Sequence, residues 1–384
     1  MRFARRIESL PPYLFAQLDK KLTAKRDSGA DVISLAVGDP DLPTPRHIVE
    51  ALQEAAEDPT THQYPSYYGL PAFRVAVADF YRRRFGVTLD PDTEVLALIG
   101  SKEGLAHLAF AVLDDGTEAL VPDPGYPVYA TATMLAGGRP VPFPLDAAGG
   151  FLPDLDSIHP SPDATMMWLS YPNNPTAAVA DAAFFDRAVA FASRHDLLLC
   201  HDAAYSEITF DGYVAPSILS TEGGMGVAIE LGSLSKTYNM TGWRIGYAVG
   251  NRDAIRALGT LKTNLDSGIF NAVQRAGVAA LTGPQDHVEE MRAVYQKRRD
   301  TVVSSLQEIG MPVEPPLGSI YVWAPVPDGR TSEQFAAELL EEAAVVVSPG
   351  TGYGKQGEGF VRISLTVADD RLQEAMDRIR ERLG

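Results

Sequence analysis

Between residues 46 and 275 the chain alternates short apolar runs with helical segments, and no other feature restricts the fold as much. The runs are Val95–Ile99, Ala119–Pro122, Thr165–Ser170, Leu197–His201, Val227–Leu231 and Trp243–Gly250. Each has the length of a buried strand rather than of a helix. Strands separated by helices pair in parallel. The alternation therefore predicts an α/β fold: a mostly parallel sheet, helices on both faces, and a ligand site at the C-terminal ends of the strands.

Those strand ends carry the chemistry-bearing residues. Val227–Leu231 leads into Ser-Leu-Ser-Lys-Thr-Tyr-Asn-Met-Thr-Gly-Trp-Arg-Ile-Gly-Tyr, Ser233–Tyr247. A lysine beside a buried strand is costly unless it is paired or covalently used, which singles out Lys236. Ser233, Ser235 and Thr237 add hydroxyls and Arg244 a fixed cation, a set that suits an anion better than a metal. The bland alternative is a solvated strand end. Val95–Ile99 runs into Gly100-Ser101-Lys102-Glu103-Gly104 and an apolar helix, Leu105–Leu113. Strand, small-residue turn and helix is an anion-binding arrangement, because free N–H groups and the positive end of the helix dipole point the same way. Leu197–His201 ends on Asp202, with Tyr205 three residues on; an acid there needs a cationic partner or strong hydrogen bonds. A structural ion pair would serve, as would a protonated ring nitrogen. His201 either backs Asp202 or is a satisfied core histidine, and Cys200 reads as core. Tyr126 follows Ala119–Pro122 and offers a flat face for stacking or plain loop packing. Asn174 lies in the turn after Thr165–Ser170. There Ala177 disfavours a positive φ, which predicts a turn altered from one built on glycine.

The flanking segments add fewer constraints. Residues 1–45 read as an arm with a helical stripe of Leu14, Phe15, Leu18 and Leu22 after Pro11-Pro12, then a strand at Asp31–Val37. Gly38 opens the Pro-rich turn that follows and lets a ligand approach the backbone. Tyr64 and Tyr67 sit in a dense aromatic loop, and Ser267 in a break after the helix Asn251–Leu265. Residues 276–384 read as a smaller α+β unit: helix Val288–Leu306, strand Ser319–Ala324, helix Thr331–Ala343, and strands Val345–Ser348 and Phe360–Leu365. Arg362 falls inside the last run, where its fork demands a carboxylate, from a ligand or from the chain itself.

Composition sets limits on partners. The formal net charge is −17, which argues against nucleic acid and anionic membrane and requires local cations for any anionic substrate. One cysteine permits no disulfide within the chain, consistent with a reducing, cytoplasmic setting. Met1–Lys21 has no apolar core of secretory type, and no run approaches a membrane span.

The lysine stretch resembles the cofactor signature of fold-type I pyridoxal-phosphate aminotransferases, Ser-x-Ser-Lys-x-x-x-x-x-Gly-x-Arg-x-Gly. Within that family the chain is most similar to LL-diaminopimelate aminotransferases. The cues are Arg6–Phe15, Tyr64–Tyr67, Leu98–Gly104 and Cys200–Tyr205. The resemblance implies a seven-stranded, mostly parallel sheet in a large domain (46–275), a smaller C-terminal domain (276–384), and an arm (1–45). It implies pyridoxal 5'-phosphate held as an imine on Lys236, with Asp202 at the ring nitrogen and Tyr205 and Asn174 at the ring oxygen. Tyr126 would stack on the ring. Gly100, Ser101, Lys102, Ser233, Ser235 and Arg244 would line the cofactor's phosphate side, with Tyr64 reaching over from the second subunit of a homodimer. Arg362 would grip the substrate carboxylate beside Gly38 and Asn174, while Tyr67, Lys102, Tyr126 and Ser267 would read its far end. The implied reaction is amine transfer from LL-2,6-diaminopimelate to 2-oxoglutarate, in lysine biosynthesis. Another amino donor, or a same-fold lyase, shares these motifs.

Overall fold

The computed structural model describes residues 3–8, 10–11 and 14–383. Ser9, Pro12 and Tyr13 of the N-terminal cue, and the side chains of Leu14 and Phe15, lie outside the described residues. After the helix Leu14–Asp27 comes a two-residue strand, β1 (Ile33–Ser34), shorter than the expected Asp31–Val37. The central sheet follows: β2 (Val95–Leu98), β3 (Glu118–Asp123), β4 (Arg139–Pro144), β5 (Ala164–Leu169), β6 (Leu198–Asp202), β7 (Ala228–Ser233) and β8 (Gly246–Gly250). Its seven strands lie in the order β2-β8-β7-β6-β5-β3-β4. Only β8 runs against its neighbours, β2 and β7.

Strand periodicity sends alternate side chains to opposite faces, and each face has its own core. Met166 and Trp168 of β5 pack with Cys200, Ile229 and Leu231 under the helix Ser101–Val112. Met167 and Leu169 pack with Leu199, Phe184 and Val249 on the other side. Burial on both faces explains why these strands read as unbroken apolar runs. The edge strand β4 reads Arg-Pro-Val-Pro-Phe-Pro. The N–H of Arg139 turns inward to Thr117, so the prolines at alternate positions face the open edge, where no partner strand asks for an N–H.

Beyond the long helix Asp286–Glu308, β9 (Tyr321–Pro325), β11 (Ser348–Pro349) and β12 (Phe360–Ser364) form an antiparallel sheet, while β10 (Val345–Val346) pairs in parallel with β1. One buried arginine ties this part to the Pro-rich turn. Arg298 bonds Asp41 through both Nη atoms, at 2.7 and 2.9 Å, and Asp369 through Nε at 2.8 Å. A bidentate pair of this kind fixes geometry as well as energy, and it ties the turn that Gly38 opens to the long helix. No helix among the described residues is long and apolar enough to cross a membrane.

Candidate active site

A cavity of about 440 Å³ opens at the C-terminal ends of β6 and β7. Its lining includes Gly38, Ser101, Lys102, Tyr126, Asn174, Asp202, Tyr205, Ser233, Ser235, Lys236, Arg244 and Arg362. Residues that the sequence singled out separately, over more than 300 positions, thus meet in one place. A larger hollow of about 880 Å³ lies between the helices Leu14–Asp27 and Ser332–Ala343. Its charged groups include the Lys25–Glu341 pair, which satisfies itself at 2.5 Å. Size does not mark the site; convergent chemistry does.

Lys236 sits on a single helical turn, Leu234–Thr237, capped by the Ser233 hydroxyl, which accepts from the Ser235 N–H. Its Nζ donates to the Gly38 carbonyl at 2.7 Å. Burial pushes the amine below the ordinary lysine range; Tyr321 and Asp39 oppose that shift, and Arg362 and Arg244 add to it. A lowering of this kind favours the unprotonated, nucleophilic form of the amine.

The anion cradle is built of backbone. Gly100 takes φ 77° and caps the helix Ser101–Val112. A Cβ there would lie 2.3 Å from Arg244 Nη2, so glycine is what lets the guanidinium close over the turn. Arg244 itself adopts φ 55°, with Nη1 donating to the Thr241 carbonyl at 2.9 Å. The Ser235 hydroxyl is buried and makes no hydrogen bond among the described residues. A helix N-terminus, a hydroxyl without a partner and a guanidinium fit a phosphate group.

At the other end Asp202 is buried. Tyr129 donates to its Oδ2 at 2.9 Å, and Oδ1 makes no hydrogen bond among the described residues. Burial pushes this carboxyl up, while the Tyr129 hydroxyl, nearby His201, the Ala204 N–H and Lys236 hold it down. A buried carboxylate oxygen without a donor fits a cationic ring N–H. His201 does not back Asp202. Its Nδ1 meets Glu230 at 2.8 Å, and its Nε2 meets the Tyr171 backbone, so it is the satisfied core histidine of the two readings.

Arg362, on β12, is buried with its guanidinium 3.9 Å from the Tyr321 ring centroid and 4.9 Å from that of Tyr353. It donates to Asn174 Oδ1 at 2.7 Å and to the Ala36 carbonyl at 2.6 Å. The first bond leaves the amide N–H group as what Asn174 offers a ligand. Ala177, expected to alter this turn, instead takes φ 59° and keeps a left-handed conformation despite its Cβ. Tyr205 shares a hydroxyl contact of 3.2 Å with Tyr321. Lys102 Nζ stands 5.9 Å from the centre of the Tyr126 ring.

Four expected residues do not line the cavity, and one of them, Gly100, lies directly behind Ser101 in the cradle turn. Of the other three, Tyr64 is 88% exposed, Tyr67 is 50% exposed, and Ser267 lies on the surface. These three share one patch: the Gly268 position packs on Pro65 and Ser66, and Leu265 and Phe270 stand out beside it. The sequence reading passed over Tyr321 and Tyr129. Tyr129 lies one helical turn beyond Tyr126, an i,i+3 spacing that offered a signal. Tyr321 offered none, since its partners Tyr205 and Gly38 are remote in sequence.

Fold and cavity together define an aminotransferase. The model of the family described as aminotransferase class I and II matches residues 30–379, and the chain belongs to that family. Its relatives include the LL-diaminopimelate aminotransferase of Moorella thermoacetica, 55% identical over 100% of this chain and 99% of the relative. The enzyme of that name from Desulforudis audaxviator is 56% identical over 99% and 98%. Among solved structures, substrate-bound BacF from Bacillus subtilis superposes with TM-score 0.95 at 40% identity, covering 99% of this chain and 98% of its own. A Thermus thermophilus aspartate aminotransferase mutant reaches 0.93 at 29% identity, over 99% of this chain and 100% of its own.

Proposed function

We propose that the protein binds pyridoxal 5'-phosphate and transfers an amine from LL-2,6-diaminopimelate to 2-oxoglutarate. The products are glutamate and a keto acid that cyclises to tetrahydrodipicolinate, a cytoplasmic step of lysine biosynthesis. The observation that carries this reading is the sharing of one cavity by Lys236, Asp202 and Arg362. The identity of 50–56% to full-length relatives named for this donor supports the choice of substrate.

When bound, the cofactor supplies an aldehyde and an electron-withdrawing ring. Lys236 would provide the amine that anchors it and the base and acid that move the proton at the substrate Cα. Asp202 Oδ1 would pair with the ring N–H, and Tyr205 and Asn174 would donate to the ring oxygen. Tyr126 stacks on the ring. Gly100, Ser101, Lys102, Ser233, Ser235 and Arg244 hold the phosphate side. Arg362 binds the α-carboxylate beside Gly38 and turns the Cα–H bond for removal, an orientation worth several kcal/mol. Lys102 and Tyr126 would face the distal end of the donor in this cavity, and Tyr67 and Ser267 would read it only once a second subunit packs on their patch. In a homodimer the exposed patch around Tyr64, Tyr67 and Ser267 is covered, and Tyr64 completes the neighbour's phosphate site.

The test is a donor panel with purified, cofactor-loaded protein. LL-diaminopimelate is expected to exceed aspartate, alanine and aromatic donors in kcat/KM. No turnover of LL-diaminopimelate, with turnover of another donor, would remove the substrate assignment while leaving the aminotransferase.

A further inference from the structure

The residue behind Asp202 is not assigned by the lysine signature or by any strand-end motif, and the structure shows what stands there. Tyr129, on the helix Val128–Leu135, is buried with its ring stacked on Trp168 at 5.4 Å and 18°. The Trp168 indole N–H reaches Thr133 at 3.4 Å, and the Thr133 hydroxyl donates to the Tyr129 carbonyl at 2.8 Å. The ring therefore has little freedom to move. Its hydroxyl donates to Asp202 Oδ2 at 2.9 Å, and the Ser170 hydroxyl also bonds the phenol.

Apart from the Ala204 N–H, a backbone donor close to it in the chain, the other groups that could steer Asp202 are committed elsewhere. His201 is held by Glu230 and the Tyr171 backbone. Tyr205 turns its hydroxyl to Tyr321. Cys200 is buried and raised, hence a neutral thiol. Lys236 bonds Gly38. Burial and the Asp202 charge keep the Tyr129 phenol far from ionising, so it acts as a donor.

We infer that Tyr129 is a positioning residue for the amine-transfer site. It pins Asp202 Oδ2 so that Oδ1 alone faces the cavity, and it keeps the carboxylate charged for a cationic ring nitrogen. This rests on the pyridoxal-phosphate reading above. The physical reason is that a buried carboxylate given one fixed donor has its plane set and its charge stabilised, and the second oxygen becomes the sole acceptor. Tyr126, two residues before this helix begins, lines the cavity, with the two rings 5.8 Å apart and near perpendicular. One short stretch of chain, 126–129, would thus serve the face of the cofactor ring and, through Asp202, its nitrogen.

The experiment compares wild type with Tyr129→Phe, which keeps the ring and its stacking. Each is reconstituted with pyridoxal phosphate isotopically labelled at the ring nitrogen, and that nitrogen's NMR shift is followed from neutral to alkaline pH. Wild type is expected to hold the ring proton throughout, and Tyr129→Phe to lose it at lower pH. Its kcat is expected to fall roughly ten- to a hundredfold, as for one lost bond to a charged group, with KM for the donor little changed. Should Tyr129→Phe fail to fold, Ser170→Ala keeps the phenol and gives a smaller shift in the same direction. A variant that folds and retains the wild-type nitrogen shift across the range overturns this inference alone. A wild type whose bound cofactor carries no ring proton overturns it together with the reading it rests on.

Discussion

Two buried carboxylates on adjacent strands meet opposite fates. Glu230 on β7 lies opposite His201 in the register, one position from the pair Asp202–Leu231. It accepts from the Tyr81 hydroxyl at 2.6 Å, the Ser217 hydroxyl at 3.0 Å, the Ile218 N–H at 3.2 Å and His201 at 2.8 Å. Asp202 accepts from the Tyr129 hydroxyl and keeps an oxygen in reserve. An acid with every lone pair answered is scaffold. One left short, at a strand's C-terminal end and facing a cavity, is built for a ligand.

That contrast can be broken at several points. Lys236→Ala has the largest expected effect: turnover vanishes and the bound-cofactor absorbance band is lost, read in a spectrophotometer alongside an unchanged melting curve. Asp202→Asn comes next. It is expected to reduce kcat roughly a hundred- to a thousandfold, as for removal of a preorganised charge, with thermal stability maintained or raised. Glu230→Gln should reverse the pattern. It leaves buried donors facing an amide and costs about 2 to 3 kcal/mol of stability in a denaturant titration, with kcat per folded molecule within a few-fold of wild type. If Glu230→Gln cripples turnover and spares stability, the distinction between scaffold and site collapses.

Smaller effects sharpen the account. The Lys236 amine is depressed by burial, so it becomes unprotonated at lower pH than a free lysine. The rate at which apo-protein captures pyridoxal phosphate is therefore expected to rise with pH and level off below about 10.4, the ordinary lysine value. A rate still climbing past that pH would contradict the shift. Ala177 holds φ 59° where its Cβ is unwelcome. Ala177→Gly relieves that strain and is expected to raise stability by up to about 1 kcal/mol, measured as a higher denaturation midpoint.

Much of this was legible in the sequence, for a physical reason. Strands buried on both faces announce themselves as apolar runs, and in a parallel sheet the ligand groups cluster just past their ends. Lys236, Asp202, Asn174 and the Gly100–Ser101 turn could be placed without coordinates for that reason. Arg362 was legible as a charge that an apolar strand does not tolerate unpaired. β4 was not legible, because its prolines speak against a strand unless one knows that it lies at the sheet edge. Glu230 was hidden inside an apolar run, its donors Tyr81 and Ser217 lying outside the motif. Tyr321 became a site residue through contacts across the chain, and His201 took its partner from the neighbouring strand rather than from Asp202 beside it. Ala177 shows the converse: a local preference was readable, and the buried turn around it overrode that preference.

The most direct measurement is borohydride reduction of the cofactor-loaded protein, followed by proteolysis and mass spectrometry of the peptides. The reduced pyridoxyl group is expected on Lys236 and on no other lysine. A label on another lysine, or none after loading to saturation, would contradict it.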